Sequence, residues 1–333
     1  MSGPAAWWAA RPELREVPVC DGLLPWTAVF LPPGADLPAV LRRYRAAGID
    51  HVSLTAAAGR DGAAATLSRL GWFRRVLRPH ADWVSVVDSR AGIEAATAAG
   101  RLSVSFHFQT STPLHDDLDY VDAFRNAGVW RSILAYNEAN AAGDGCHEPR
   151  NGGLSGFGRR LVARMDAAGM TVDLSHCSER TALEAIDATS GIPVFSHSNA
   201  RALFDHERNI TDDLIRACAR RGGYIGVNGV GFFLGAAGPE LPAAVARQVA
   251  YIAGLVGPQH VGLGLDFMYL EGSDFGFFHD SRERWPRGYP EPPWSFLQPE
   301  QAGALVEAIA GHGFSNAELA GILGGNLLRC MPG

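Results

Sequence analysis

A (β/α)8 barrel, the TIM-barrel form of the α/β class, is the fold this sequence predicts. Three observations predict it. Apolar runs of strand length alternate with amphipathic helical runs from residue 17 onward, and repeated alternation of that kind implies parallel strands. About eight runs read as the better strands, most of them followed by a helix. The 333 residues, 47% hydrophobic, are enough for one large core, and no repeat, low-complexity tract or linker divides them. The chain therefore reads as one domain, 1–333.

Residues 1–17 read as an N-terminal arm, with Trp7 and Trp8 able to pack on the body or on another subunit, which allows a homodimer. Residues 17–24 form a first strand. Residues 37–47 are an amphipathic helix that Gly48 stops before a strand at 51–54. A helix over 63–70 follows, and 71–87 fits no single element. Residues 91–99 are helical up to Gly100, 102–108 a strand running into Gln109, 118–127 a helix stopped by Gly128, and 130–134 a strand. Residues 135–156 form a long loop rich in Asn, Gly and acidic side chains, of the kind that carries function or disorder. After a helix at 157–168 come a strand at 171–174, a helix at 179–189 behind Ser178 as cap, and a strand at 192–195. The remainder reads as helix 211–221, strand 224–227, helix 243–256, strand 261–265, an aromatic-rich loop 268–298, and closing helices 299–310 and 316–323.

Charge and composition narrow the function. The net charge of −6 gives nothing for nucleic acid to bind, and no apolar run reaches transmembrane length. The N-terminus lacks the basic start and apolar core of a signal peptide, and the five cysteines show no CxxC or zinc-finger spacing. A reduced cytoplasmic protein with no membrane partner is the expectation. All 29 basic residues are arginine. Without lysine no Schiff base can form, which excludes anchored pyridoxal phosphate.

The chemistry concentrates between residues 170 and 213. Two strands there end in Ser175-His176 and Ser196-His197. A histidine at a strand end is commonly structural. Two on neighbouring parallel strands, about 5 Å apart, point to a shared site at the edge where such folds build them. Asp266 follows a later strand, so a barrel puts all three on one rim. Two imidazoles and a carboxylate suit a zinc-like ion with an open position for water; the other reading has Asp266 capping a loop and the histidines bonded locally. Asp173, two residues before Ser175, is placed to orient a histidine. Arg208 could clamp a substrate carboxylate or pair with Glu207 or Asp212 at the surface. His107 and Gln109 share one strand face, with Tyr136 and Asn137 at the equivalent place one strand later. Cys177 reads as a small buried filler.

The second half resembles the renal (membrane) dipeptidase family of binuclear zinc peptidases. The resemblance lies in GGLSGFGRRLVARMDAAGMTVDLSHCS, IPVFSHSNARAL, ERNITDD, RRGGYIGVN, HVGLGLDF and GGNLLRCM, in that order. It implies a barrel like those of the amidohydrolases and other metal-dependent hydrolases. By that resemblance His176 and His197 match two histidine ligands of one zinc, Asp266 an aspartate near the other, and Arg208 the arginine that holds a dipeptide carboxylate. Other positions depart from the family. Its first strand ends in Asp-Gly-His-x-Asp, where this chain has Asp21-Gly22-Leu23-Leu24-Pro25. Its bridging glutamate corresponds to Gln109, its charge-stabilising histidine to Tyr136, and the second aspartate of Asp-Phe-Asp to Met268.

Three functions follow: an ordinary zinc dipeptidase, a silent homologue serving as a binding or partner subunit, and a divergent enzyme. The preferred one is the divergent enzyme, a hydrolase homologue with altered or lost peptidase activity, suited to a biosynthetic tailoring step. It would act on a small carboxylate-bearing molecule derived from an amino acid or peptide. At most one zinc ion, or none, is expected, on His176, His197 and Asp266. Asp266, Tyr136 and His107 are the catalytic candidates, and Arg208, Gln109 and Asn137 the substrate-binding ones.

Overall fold

Parallel pairing organises the protein, for which a computed structural model describes residues 7, 11–14, 17–27, 30–285 and 288–332. The strands are β1 (Cys20–Leu24), β2 (His51–Ala57), β3 (Val84–Val86), β4 (Leu102–Phe108), β5 (Val129–Ile133), β6 (Thr171–Asp173), β7 (Val194–Phe195), β8 (Tyr224–Val227) and β9 (Val261–Leu263). They run in the order β1-β2-β4-β5-β6-β7-β8-β9, every pair parallel. These eight correspond to the eight strands read from sequence and form a nearly closed TIM barrel. No ladder joins β9 to β1 among the described residues. Side-chain and single backbone bonds do so instead: the Asp21 carboxylate accepts from Leu265 N at 2.7 Å, and Asp266 N donates to Leu23 O at 3.1 Å.

The longer helices are α1 (Leu37–Ala46), α2 (Ala63–Leu77), α3 (Arg90–Ala98), α4 (Tyr120–Asn126), α5 (Gly156–Ala168), α6 (Glu179–Ala188), α7 (Asp212–Arg220), α8 (Leu241–Val256) and α9 (Ala302–Ala310). Side-chain caps begin most of those that flank the site: Ser155, Ser178 and Thr211 each accept the backbone N–H three residues on. Two differences from the sequence reading share one cause, tertiary burial. α2 continues through Gly71 to Leu77, because Phe73 and Leu77 are buried, and that outweighs a glycine's cost of about 1 kcal/mol in a helix. The stretch left unplaced also holds β3, which pairs with the lower part of β4 while β5 takes the upper part.

Strands buried on both faces need two kinds of neighbour. Phe106 of β4 stacks on Phe73 of α2, with ring centroids 5.4 Å apart, so the even-numbered β4 side chains face the helices and the odd-numbered ones the barrel interior. That interior is polar between β2 and β4, where His51, Ser53, Thr55, Ser103, Ser105 and His107 are all buried. Of the arm, Trp7 is packed on the body, its indole N–H donating to Ala47 O at 2.8 Å; Trp8 lies outside the described residues. No described helix is long and apolar enough to cross a membrane.

Candidate active site

The rim is assembled around Asp173. Its Oδ1 accepts from the backbone N–H groups of Ser175 and Ser196, each at 3.1 Å, tying together the turns that carry the two histidines. Its Oδ2 lies 3.0 Å from Arg131 Nε, both side chains wholly buried. Asp173 thus positions both histidines through their backbones, without touching either ring. The rings meet: Nε2 of His176 is 2.8 Å from Nε2 of His197. His176 Nδ1 reaches Asn137 Oδ1 at 2.7 Å, and an amide oxygen only accepts, so this nitrogen carries the proton. His197 Nδ1 reaches Ser196 Oγ at 2.7 Å. Burial, and then the charge of Arg208, push both imidazoles well below their ordinary pKa.

The long loop after β5 holds this arrangement. Cys146 N donates to His176 O and His147 N to Asn137 O, each at 2.8 Å. The approach requires glycine at 145, since a Cβ there would lie 2.1 Å from the Asn137 carbonyl carbon. Asn137, His176 and Asp266 all adopt positive φ, at 58°, 67° and 56°. Such backbone is costly for residues with a side chain and is characteristic of functional sites.

Tyr136 stacks on His176 with ring centroids 3.9 Å apart, and burial raises its hydroxyl pKa, so it stays a hydrogen-bond donor. Asp266 lines the same pocket, with burial raising its carboxyl to about 7 against the opposing charge of Arg208. Gln109 is there too, its Nε2 donating to Thr55 Oγ1 at 2.9 Å. Most of the remaining wall is aromatic, chiefly Phe232, Phe233, Trp285, Tyr289 and Trp294, with Pro25, Val230 and Met268 among the rings. The cavity these side chains leave is small, about 30 Å³, so a ligand larger than water enters only as the aromatic rings move. Sequence reading noted the aromatic density of the loop at 268–298 but assigned it no role, because no spacing rule says which rings turn inward.

Arg208 is 2% exposed and forms no ion pair among the described residues, so it does not pair at the surface with Glu207 or Asp212. Nη2 donates to His197 O at 3.2 Å, while Nε finds no acceptor. The guanidinium does not itself line the pocket; its Cζ lies 5.5 Å from the ring of Phe233, which does.

The structure does not bring every candidate together. His107 stands in the barrel interior with both ring nitrogens committed, Nδ1 to Ser53 Oγ at 2.8 Å and Nε2 to Thr55 Oγ1 at 2.9 Å, which removes it from the reacting positions. Asn137 commits its amide oxygen to the His176 ring. A binuclear zinc centre does not fit this donor set. Leu23 and Leu24 are buried apolar side chains, Pro25 has no donor to offer, and Gln109 is neutral. His176 and His197 converge as two donors for a single ion would. Among the described residues, however, no three His, Cys, Asp or Glu side chains are gathered to hold a metal, so the expected set with Asp266 is incomplete.

Residues 51–280 match the family described as membrane dipeptidase (peptidase family M19). The dipeptidase aclJ of Aspergillus oryzae is 32% identical over 236 residues, 70% of this chain and 51% of aclJ. Two dipeptidases of Schizosaccharomyces pombe are 27% and 33% identical, over 79% and 62% of this chain and 61% and 47% of theirs. This chain thus matches roughly half the length of those relatives. An amidohydrolase from Pseudomonas aeruginosa superposes with a TM-score of 0.84 at 26% identity, covering 96% of this chain and 97% of the other. A Rhodobacter sphaeroides metallopeptidase, liganded with a phosphinate mimic of L-Ala-D-Ala, shares the fold at TM-score 0.75 and 20% identity, over 95% and 99%. By the residues it matches and the barrel it forms, the chain belongs to the membrane dipeptidase family, peptidase family M19.

Proposed function

We propose that this hydrolase homologue receives a small carboxylate-bearing molecule derived from an amino acid or peptide, and that ordinary dipeptide hydrolysis is absent or very slow. The observation that carries the reading is Arg208, a buried cation that has, among the described residues, no carboxylate partner and an unmatched Nε. A buried charge is stable only when paired, so a ligand carboxylate supplies what the fold leaves open, with a shift of Phe233 exposing the guanidinium. Tyr136 offers a neutral donor beside His176 where the family has a charge-stabilising histidine. The aromatic wall excludes water and favours a ligand with an apolar group. Hydroxide bridging two metals, the family's nucleophile, has no bridging carboxylate at Gln109.

Two measurements test this. Binding of amino acids and dipeptides, compared with their carboxamide analogues, should require the carboxylate and should weaken about ten- to a hundred-fold in Arg208→Ala. Unchanged affinity in that variant refutes the carboxylate site. Efficient turnover of a dipeptide panel with added zinc refutes the loss of peptidase activity.

A further inference from the structure

A second cavity lies beside the one that His176 and Asp266 line. It measures about 370 Å³, against about 30 Å³ for the inner one, and so falls in the size range of small-molecule sites. Three side chains, Phe30, Tyr136 and Trp285, line both cavities and form the partition between them. The turn after β2, residues 58–61, and Asn137 and Glu138 of the loop after β5 supply much of the remaining lining. Another part is aromatic. The ring of Phe277 meets Phe30 edge-on with centroids 5.1 Å apart and Trp285 at 5.9 Å.

The charges around this outer cavity do not cancel. Asp61 is engaged within the fold, in a close ion pair with Arg69 and as acceptor of the Ala58 backbone N–H at 3.0 Å. Glu138, the other carboxylate of the lining, faces two guanidiniums. Its Oε2 lies 3.9 Å from Arg60 Nη2 and its Oε1 3.5 Å from Arg284 Nε. Both separations are longer than a good hydrogen bond, and all three side chains are open to solvent, so Glu138 holds the guanidiniums weakly. One carboxylate between two cations leaves one positive charge in excess, on a chain whose net charge is −6. Among the described residues neither guanidinium donates a hydrogen bond, which leaves their N–H groups for a ligand.

We propose that the outer cavity is a binding site in its own right, for a compound that joins an aromatic or other flat apolar group to an anionic one. The apolar group lies against Phe30, Phe277 and Trp285, and the anion accepts from Arg60 and Arg284. The occupant also meets Asn137, whose amide oxygen is committed to the His176 ring. The assignment does not rest on the carboxylate site at Arg208, and the two stand or fall separately.

Two fluorescent probes test it. 8-Anilinonaphthalene-1-sulfonate carries both features, and N-phenyl-1-naphthylamine is the same ring system without the sulfonate. Wild type should bind the sulfonate at one site per chain, about ten-fold more tightly than the amine. Arg60→Gln/Arg284→Gln replaces two solvent-exposed side chains and leaves Glu138 unopposed. It should weaken the sulfonate about ten-fold and leave the amine within about two-fold of wild type. Ala58→Trp, which places an indole in the cavity, should weaken both probes. Arg208→Ala should weaken neither. A loss in Arg208→Ala equal to that of the double variant places the sulfonate at the inner site and overturns the outer one. Equal affinity of wild type for the two probes overturns the anionic half of the ligand class. Absence of sulfonate binding by wild type, or binding unchanged in the double variant, overturns the site.

Discussion

Asp173 does two jobs with two oxygens, and they separate by substitution. Oδ1 aligns the turns of Ser175 and Ser196, whereas Oδ2 neutralises Arg131 at 3.0 Å in a wholly buried, imperfectly aligned pair. Asp173→Asn keeps the acceptor and removes the charge. Stranding Arg131 should cost about 3–5 kcal/mol, read from denaturant unfolding. A loss under about 1 kcal/mol would show that Gly22 O, which accepts from Arg131 Nη2 at 2.8 Å, and the ring of Trp130 already stabilise the cation. The strand-end position of His176, His197 and Asp266 was legible in the sequence, because strand, Ser-His and helix follow in a recognisable order. The role of Asn137 was not. It depends on a positive φ and on a loop that returns to it, neither of which leaves a periodic trace. The place of His107 was legible only in part: period two puts it on the interior face of its strand but does not give its height in the barrel, where Ser53 and Thr55 hold the ring.

At the scale of elements, the loop between β5 and α5 is the part whose geometry the site most depends on. Gly145 allows it to cross the Asn137 backbone, and any Cβ there collides with main chain that cannot rotate away. Gly145→Ala should displace the loop and break the bonds from Cys146 N to His176 O and from His147 N to Asn137 O. The expected result is faster amide exchange at residues 145–147 and weakened ligand binding, with the barrel strands still protected. Equal protection in the variant would show that the loop has a second way to pass. Outside one stretch, helix and strand order was readable, since the amphipathic helices and their Ser and Thr caps carry local signals. Where the reading stopped, in the stretch after Gly71, the outcome was set by the burial of Phe73 and by a short strand that exists only through its pairing with β4.

The whole molecule buries an unusual set of neutral imidazoles, with a consequence for stability. Burial holds His51 and His147 at about 3, His206 at about 4 and His107 well below the ordinary value. An unfolded chain binds protons at these groups below about pH 6.5 while the folded one does not, so stability is complete above that pH and falls as pH drops toward 4. Asp21 and Asp50, raised to about 6, and Asp266, raised to about 7, act the other way and lose stability as pH rises from about 4. The histidines outnumber these carboxyls, so the denaturant midpoint should decline from pH 7 to pH 4. His51→Gln should flatten the decline, and a midpoint that rises on acidification would show that the carboxyls dominate. The central claim concerns the family's two-metal chemistry. The fold and the His176–His197 pair persist, while Leu23, Pro25 and Gln109 leave a second ion without ligands. The most direct test is elemental analysis of the protein equilibrated with excess zinc and then freed of unbound metal. One ion per chain or fewer, lost on His176→Ala or His197→Ala, is the predicted result; two tightly held ions per chain would contradict the account.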